Sequence, residues 1–170
     1  FAKSNRRFFD DRLGVSLGIR VDQDNFTIDN NLLKNFSPRM ALSWSISKDN
    51  RWKINFATGR YFKVPTYTIL GFKNLNNNFI NNDSEYTRSD HLVFGIEYNN
   101  SESSRFSLEA FNKRYYNYPI SINDMVSLAN KGGDFEVLGN ENVSTSGRGK
   151  SYGIEFLYQQ KLKNNFYGIF

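Results

Sequence analysis

A chain of 170 residues is the size of one domain, and a composition of 39% hydrophobic residues, with no apolar run near the ~18 residues of a membrane helix, excludes a helical span. It does not exclude a span made of strands, whose alternating residues keep the mean hydropathy low. With no cysteine there is neither a disulfide framework nor a thiolate metal site, and a net charge of +5 without a Lys/Arg block leaves no footprint for nucleic acid.

Residues 1–11 are polar apart from Phe8 and Phe9 and read as the end of a loop or of a preceding strand. Their opening, Phe1-Ala-Lys-Ser-Asn-Arg-Arg, lacks the apolar core of a signal peptide, and the chain stops a few residues into another strand. Both ends therefore read as those of an internal piece. Residues 12–22 carry the clearest pattern: Leu13, Val15, Leu17, Ile19 and Val21 alternate with Gly14, Ser16, Gly18, Arg20 and Asp22. A strand sorts these onto opposite faces, whereas helical neighbours fall three and four residues apart. Residues 24–35, rich in Asp and Asn, read as a loop.

The second strand spans residues 36–47, with Met40, Leu42, Trp44 and Ile46 on one face, and a tight turn at Lys48-Asp49-Asn50 leads to the third, residues 52–60. A long connection follows over 61–88, and its Asn-rich run from 74 to 82 reads as a solvated loop. The fourth strand is 90–99. A short turn leads to the fifth, 105–115, where Phe111 breaks the alternation by falling on the polar side. A second long connection spans 116–150, with one helical turn expected over 123–128 and ended by Gly132-Gly133. The sixth strand is 151–161, and 166–170 start a seventh. The expected fold is all-β: an antiparallel up-and-down meander of six to seven strands, a segment of a transmembrane β-barrel.

Two patterns favour the barrel over the alternative, a soluble β-sandwich or jelly-roll binding module for a ligand such as carbohydrate. From the first strand the connections alternate long and short, which gathers the long loops at one end, as in outer-membrane barrels. The polar faces also hold small residues (Gly14, Ser16, Gly18, Ala41, Ser43, Ser45, Gly59, Gly95, Gly153) where a solvated sheet would favour Thr, Lys and Glu. Such a wall suits a crowded lumen. The 16 Phe and 10 Tyr fit a sheet and also the aromatic girdles of membrane barrels.

Five segments, in order and spacing, resemble strands of TonB-dependent outer-membrane receptors. Phe36-Ser-Pro-Arg-Met-Ala-Leu-Ser-Trp44 and Trp52-Lys-Ile-Asn-Phe-Ala-Thr-Gly-Arg-Tyr-Phe-Lys-Val-Pro-Thr66 are similar to a paired Ser-Pro-Arg strand and Gly-Arg-x-Phe-Arg-x-Pro-Thr segment. Thr87-Arg-Ser-Asp-His-Leu-Val-Phe-Gly-Ile-Glu-Tyr98 resembles the next, and Leu108-Glu-Ala-Phe-Asn-Lys-Arg-Tyr115 and Gly147-Arg-Gly-Lys-Ser-Tyr-Gly-Ile-Glu-Phe156 the following two. Thr87 stands where the family has Glu, and Lys63 where it has Arg. The Asn-rich loops fit a Bacteroidetes-like member. The resemblance implies that residues 1–170 are the later part of a receptor barrel, with the plug and remaining strands absent. It implies the outer membrane of a Gram-negative cell, and import of a scarce nutrient (siderophore, haem, cobalamin, glycan or peptide). The implied partners are an inner-membrane energy-coupling protein reached through the missing N-terminal part, the plug, outer-membrane lipid and the ligand, but no nucleic acid.

No catalytic constellation stands out, and no cofactor or metal site is expected. His91 is the single histidine and lacks a second ligand at useful spacing. Gly147-Arg-Gly-Lys-Ser151 lacks the spacing of a phosphate loop and no helix follows it. Glu97, Glu109 and Glu155 occupy similar strand positions and read as lumen acids that pair with Arg39, Arg20 or plug residues. Arg60, Lys63, Tyr67, Tyr115 and Tyr116 lie where strands enter the long loops. With Arg39 and the three glutamates they are the candidate contacts for ligand or plug. The tyrosines serve equally well as an interfacial girdle.

Overall fold

The structure, a computed structural model, describes residues 1–27, 31–131, 138–163 and 165–170. One antiparallel sheet runs in sequence order through β1 (Ala2–Phe8), β2 (Leu13–Arg20), β3 (Ser37–Ser45), β4 (Trp52–Lys63), β5 (Thr87–Ser101), β6 (Ser104–Ser121), β7 (Val143–Lys163) and β8 (Phe166–Ile169). The fold is thus the expected meander, with eight strands. The additional one, β1, pairs with β2 from Ala2↔Ile19 to Phe8↔Leu13 although Lys3, Ser4, Asn5, Arg6 and Arg7 give it no apolar stripe. Its backbone ladder holds it in the sheet where its pattern gave no signal.

Four strands also run further than their apolar alternation. β4 reaches Lys63, β5 begins at Thr87, β6 reaches Ser121 and β7 begins at Val143, all within stretches expected as connections. The ladder continues there through polar residues, past a register shift between Tyr115 and Tyr118. Among the described residues one helical turn, α1 (Tyr67–Leu70), is present, within the β4–β5 connection. The turn expected over 123–128 is instead a tight reversal. Met125 takes a positive φ of 59°, the Asp124 carboxylate accepts the Val126 N–H, and Ile120 bridges to Ser127. Its expected terminator at Gly132-Gly133 lies outside the described residues.

Register turns the separate stripes into one surface. Leu13, Trp44, Ile54, Ile96, Leu108 and Phe156 lie in one cross-strand row, and Val15, Leu42, Phe56, Phe94, Ala110 and Ile154 in the next. Toward the short turns, Trp52, Tyr98, Phe106 and Tyr158 form an aromatic row, with ring centroids 4.6 Å apart for Trp52–Tyr98 and for Phe106–Tyr158. The apolar stretch is staggered. On β2 and β3 it extends toward the long connections through Ile19 and Phe36, and on β7 toward the short turns through Leu162.

Among the described residues nothing covers this face. Leu92, Phe94, Leu108 and Phe156 are exposed, and Ile154 is 75% exposed. The buried apolar residues, Ile69, Leu70, Tyr86, Leu128 and Val143, sit at the opposite end, where long connections meet β5–β7. A sandwich would need a second sheet over Phe94 and Phe156, and the described residues contain one sheet only.

The long connections pack together. Asn81, fully buried, donates its amide to the Ile69 and Glu141 carbonyls (2.9 and 2.8 Å) and accepts the Val143 N–H (3.1 Å). The Tyr86 hydroxyl donates to Asp24, Lys34 meets Glu85 at 3.1 Å, and Phe26 packs edge-on against Phe79 at 5.5 Å. The Asn-rich run is therefore not uniformly solvated: Asn76, Asn77 and Asn78 are exposed, while Asn81 joins the β4–β5 connection to the β6–β7 connection.

Candidate functional site

The face opposite the apolar one carries the chemistry. Side chains alternate across a strand, so β4 presents Lys53, Asn55, Ala57, Gly59, Tyr61 and Lys63 here, and register places the neighbours. Three levels follow, from the long connections downward.

The upper level is cationic and aromatic. The Arg39 guanidinium stacks over Tyr61 at 4.3 Å, Tyr61 lies 4.7 Å from the His91 ring, and Ser89 hydrogen-bonds the imidazole. Gly59 makes this possible, because a Cβ there would come within 3.2 Å of both Arg39 Cγ and Tyr61 Cε2. Lys113 pairs with His91 across β5 and β6. Arg39 Nε is buried without a hydrogen-bond partner among the described residues.

The middle level is small. Asn5, Ser16, Ala41, Ala57, Val93, Phe111 and Gly153 are in register. The irregular placement of Phe111 is explained here: its ring covers Gly153, where an added Cβ would lie 3.0 Å from Phe111 Cζ. Glu109 fills the space over Gly95 in the same way, its Cγ 3.1 Å from that position. The glycines therefore divide into two sets. Gly59, Gly95 and Gly153 are filled by neighbouring strands. Gly14 and Gly18 meet only backbone oxygens at 3.8 and 3.7 Å and, with Ser16, Ala41 and Ser43, leave a bare patch over β2 and β3.

The lower level is acidic. Glu109 and Glu155 are direct cross-strand partners, and neither has an ion pair among the described residues. Like charges placed opposite each other in a sheet repel. Glu97 differs, with Arg105 at 3.5 Å and Lys53 at 3.9 Å. The expected pairing of these acids with Arg39 or Arg20 does not occur: Arg39 stacks on Tyr61 and Arg20 binds Asp22 at 2.7 Å. Both arginines lie too far along their strands to reach the acidic row.

Of the candidate residues, Arg39, Lys63, Tyr115, Glu97, Glu109 and Glu155 share this face. Arg60 and Tyr116 stand on the apolar side instead. Arg60 forms a two-pronged pair with Asp90 (2.8 and 3.3 Å), and Tyr116 lies under the Arg88 guanidinium at 4.0 Å. Tyr67 opens α1 in the loop cluster and is 82% exposed. Sequence reasoning missed Asn81 because it sits in a run of like residues. It also missed the Asp24–Tyr86 contact, although Asp24 followed by Phe26-Thr27 is an Asx-type turn signal: its carboxylate accepts the Phe26 and Thr27 N–H groups at 2.7 Å.

Burial by itself would raise Asp24, but the bonds from Tyr86, Thr27 and Phe26 outweigh it and hold the carboxyl below its ordinary range. For Tyr86, burial and then the Asp24 contact push the phenol above its ordinary value. In the β6–β7 connection the Lys131 ammonium, 2.7 Å away, pulls Asp124 down to about 2. Among the described residues no cluster of His, Asp and Glu could hold a metal ion.

An up-and-down antiparallel sheet, apolar on one face and polar with small residues on the other, with its long connections gathered at one end, is the wall of an outer-membrane-type β-barrel. The chain belongs to the TonB-dependent receptor-like β-barrel family, whose family model matches residues 1–169. That family consists of outer-membrane transport receptors rather than enzymes, and implies a plug, TonB-type energy coupling and a ligand. No curated protein matches the chain.

Proposed function

We propose that this chain is part of the barrel wall of an outer-membrane receptor that imports a scarce nutrient, such as a siderophore, haem, cobalamin, a glycan or a peptide. The plug and the strands that close the barrel come from the same polypeptide, and energy arrives from an inner-membrane protein. The observation that carries this reading is the uncovered apolar face. Burying one Leu or Phe side chain is worth about 1.5–3 kcal/mol, and a domain is stable by only about 5–15 kcal/mol. Several rows of such side chains in water are therefore untenable, whereas lipid accommodates them.

The stagger of the band supports the same reading. Cross-strand rows run perpendicular to the strands, so in a tilted barrel a level membrane crosses them diagonally. The apolar stretch shifts toward the long connections on β2–β3 and toward the short turns on β7, as tilt requires. Along β3 and its two flanking residues it runs from Ile46 to Phe36, ten steps along the chain. That is about 34 Å along the strand at ~3.4 Å per residue, or about 25 Å of height at ~40° tilt, which matches the lipid band of such barrels.

On the inner face, the bare patch of Gly14, Ser16, Gly18, Ala41 and Ser43 is the seat of the plug. Glu109 and Glu155, mutually repelling and without an ion pair among the described residues, receive a plug cation, and Arg39 offers to a plug acceptor the Nε that has no partner among those residues. Ligand enters between the long loops, past Tyr67, Lys63 and Tyr115.

The test uses single cysteines in the full-length protein, since this chain contributes none. Nitroxides at Leu92, Phe94 and Ile154 are expected to collide with oxygen more than with a water-soluble nickel chelate, and those at Ser43 and Asn55 the reverse. Equal protection of both sets would point to a sandwich and refute the proposal. Growth on defined nutrients after gene deletion then identifies the cargo.

A further inference from the structure

Charge on the inner face is sorted by height. Glu97, Glu109 and Glu155 all lie below its small middle level. Above that level Lys3, Arg39 and Lys113 share one cross-strand row with Gly59, and Lys63 follows on the same face further along β4. No carboxylate of the sheet stands on this face at these heights. Asp22, just past the end of β2, is bound by Arg20 at 2.7 Å. Among the described residues Lys3, Lys63 and Lys113 have no ion-pair partner.

The other side of the wall offers no compensation at the Lys113 level. It presents Arg60, Arg114 and Lys150 around a single carboxylate, Asp90, which Arg60 and Arg88 already engage at 2.8 and 3.2 Å. A concave wall lined by one sign of charge concentrates its field in the space it encloses. Between the lysines the inner face carries hydroxyl groups: Thr87 pairs with Lys63, Ser89 with Tyr115 and Ser151 with Lys113. Hydroxyl groups donate to an oxyanion, as ammonium groups do.

We propose that the cargo of this receptor is an anion, bearing carboxylate or other oxyanion groups, and that Lys63 and Lys113 receive it below the long loops. The inference deepens the transport reading and rests on it. Lys3 and Arg39 border the bare patch assigned to the plug, whereas Lys63 and Lys113 stand on the β4–β6 side, along the path past Tyr115. Lysine, a hydrated point charge on a flexible stem, holds an oxyanion without fixing its geometry, which suits a molecule in passage. Below, Glu109 and Glu155 repel the same anion, so it rests at the Lys113 level until the plug is displaced. Neutral glycans are thereby excluded as cargo.

The first test needs no knowledge of the nutrient. A nitroxide at Thr87→Cys in the full-length receptor, in nanodiscs of zwitterionic phosphatidylcholine, is exposed to chromium trisoxalate, a trianion, and to a neutral nickel chelate. A control nitroxide sits at Asn76→Cys, on an exposed loop. The ratio of trianion to neutral collisions is expected to be about threefold higher at Thr87 than at Asn76, and to reach parity in about 1 M salt. Lys63→Gln with Lys113→Gln is expected to remove the excess. Equal ratios overturn the proposal, as does a site closed to both chelates because plug carboxylates already cover the lysines.

The second test is growth. The nutrient identified by gene deletion is expected to be negatively charged at neutral pH. The double Gln variant is expected to need about fivefold more of it for half-maximal growth, and Lys63→Arg with Lys113→Arg to match the parent. Labelling at Asn76→Cys corrects for the amount of receptor at the surface. Should the double variant fail to insert, Lys113→Gln alone is read the same way, with an increase of about twofold. A neutral or cationic nutrient, or an unchanged requirement in the variant, overturns the proposal. A nitroxide at Leu92→Cys separates the two levels of failure. If it meets oxygen in the bilayer while the charge tests fail, only the anionic cargo is refuted; if it meets only the nickel chelate, the transport reading falls with it.

Discussion

Asn81 shows how one side chain can hold a loop cluster together. It satisfies a carbonyl of the β4–β5 connection together with a carbonyl and an N–H where the β6–β7 connection enters β7, and it is fully buried. Asn81→Ala leaves all three groups orphaned. A buried unmet polar group costs about 1–3 kcal/mol, so local stability should fall by about 2–4 kcal/mol. Hydrogen exchange checks this: protection of the Val143 amide should drop sharply while that of Phe94, mid-strand, stays unchanged.

The Asp24–Tyr86 contact makes a prediction about pH. The Asp24 pKa is lowered in the fold, so its contribution is present above the ordinary carboxylate value near ~3.9 and is lost as pH falls through the lower folded value. The Tyr86 pKa is raised, so its contribution is complete below ~10 and fades as pH climbs from there toward the folded value. The contact between the β2–β3 connection and the start of β5 should therefore hold between about pH 4 and 10 and loosen on either side. Limited proteolysis within residues 24–35 measures it, and Tyr86→Phe should remove the alkaline limb.

At the scale of the strand, alternation decides what a substitution costs. Phe94→Arg places a charge within the apolar band and should destabilise the protein in lipid vesicles by about 2–4 kcal/mol, read from denaturant titration. Asn55→Arg, on the opposite face, should cost far less. Phe111 and Gly153 form a coupled pair across β6 and β7. Gly153→Ala alone forces the ring aside, since the new Cβ would sit 3.0 Å from Cζ. In a Phe111→Ala background the same change relieves an uncovered glycine. The substitution should therefore change sign between the two backgrounds, by about 1 kcal/mol in total, in a double-mutant cycle.

These strands also show what a sequence can and cannot disclose. β2, β3, β4 and β7 were legible because one environment faces each side of them, and period-two alternation records that difference. β1 was not, because Ser4 and Arg6 occupy the positions that Leu17 and Val15 oppose. The ends of β4 to β7 were hidden for a related reason: they leave the apolar band, so their ladders continue without a change of polarity along the chain. The face of the three glutamates was legible from alternation, but that of the residues at the loop entries was not: Arg60 was grouped with Lys63 by position along the chain, yet parity from Thr58 sends Arg60 to the apolar side and parity from Gly59 sends Lys63 to the other.

At the scale of the whole molecule, β1 and β8 remain the two edges of the sheet, and no pairing joins them among the described residues. An isolated 170-residue chain would therefore carry two open edges and one apolar face. Expressed alone in water, it should associate through both. Analytical ultracentrifugation should find large species without detergent and smaller ones in its presence. A monodisperse, cooperatively melting monomer in plain buffer would argue against the membrane assignment.

The short turns have a further consequence, for the order of events when the barrel is made. β5 and β6 are separated by two residues, and the β3–β4 and β7–β8 turns each place an asparagine, Asn50 and Asn165, at a positive φ of 56° and 62°. Asparagine tolerates that conformation better than most residues, and closing so short a loop takes little entropy. Each hairpin can thus zip from its tip, on the ~1–10 μs timescale of hairpin formation. Joining one hairpin to the next requires closure of a long connection. Assembly should accordingly proceed in pairs of strands, with the long connections setting the slow steps and the Asn81 contacts forming last.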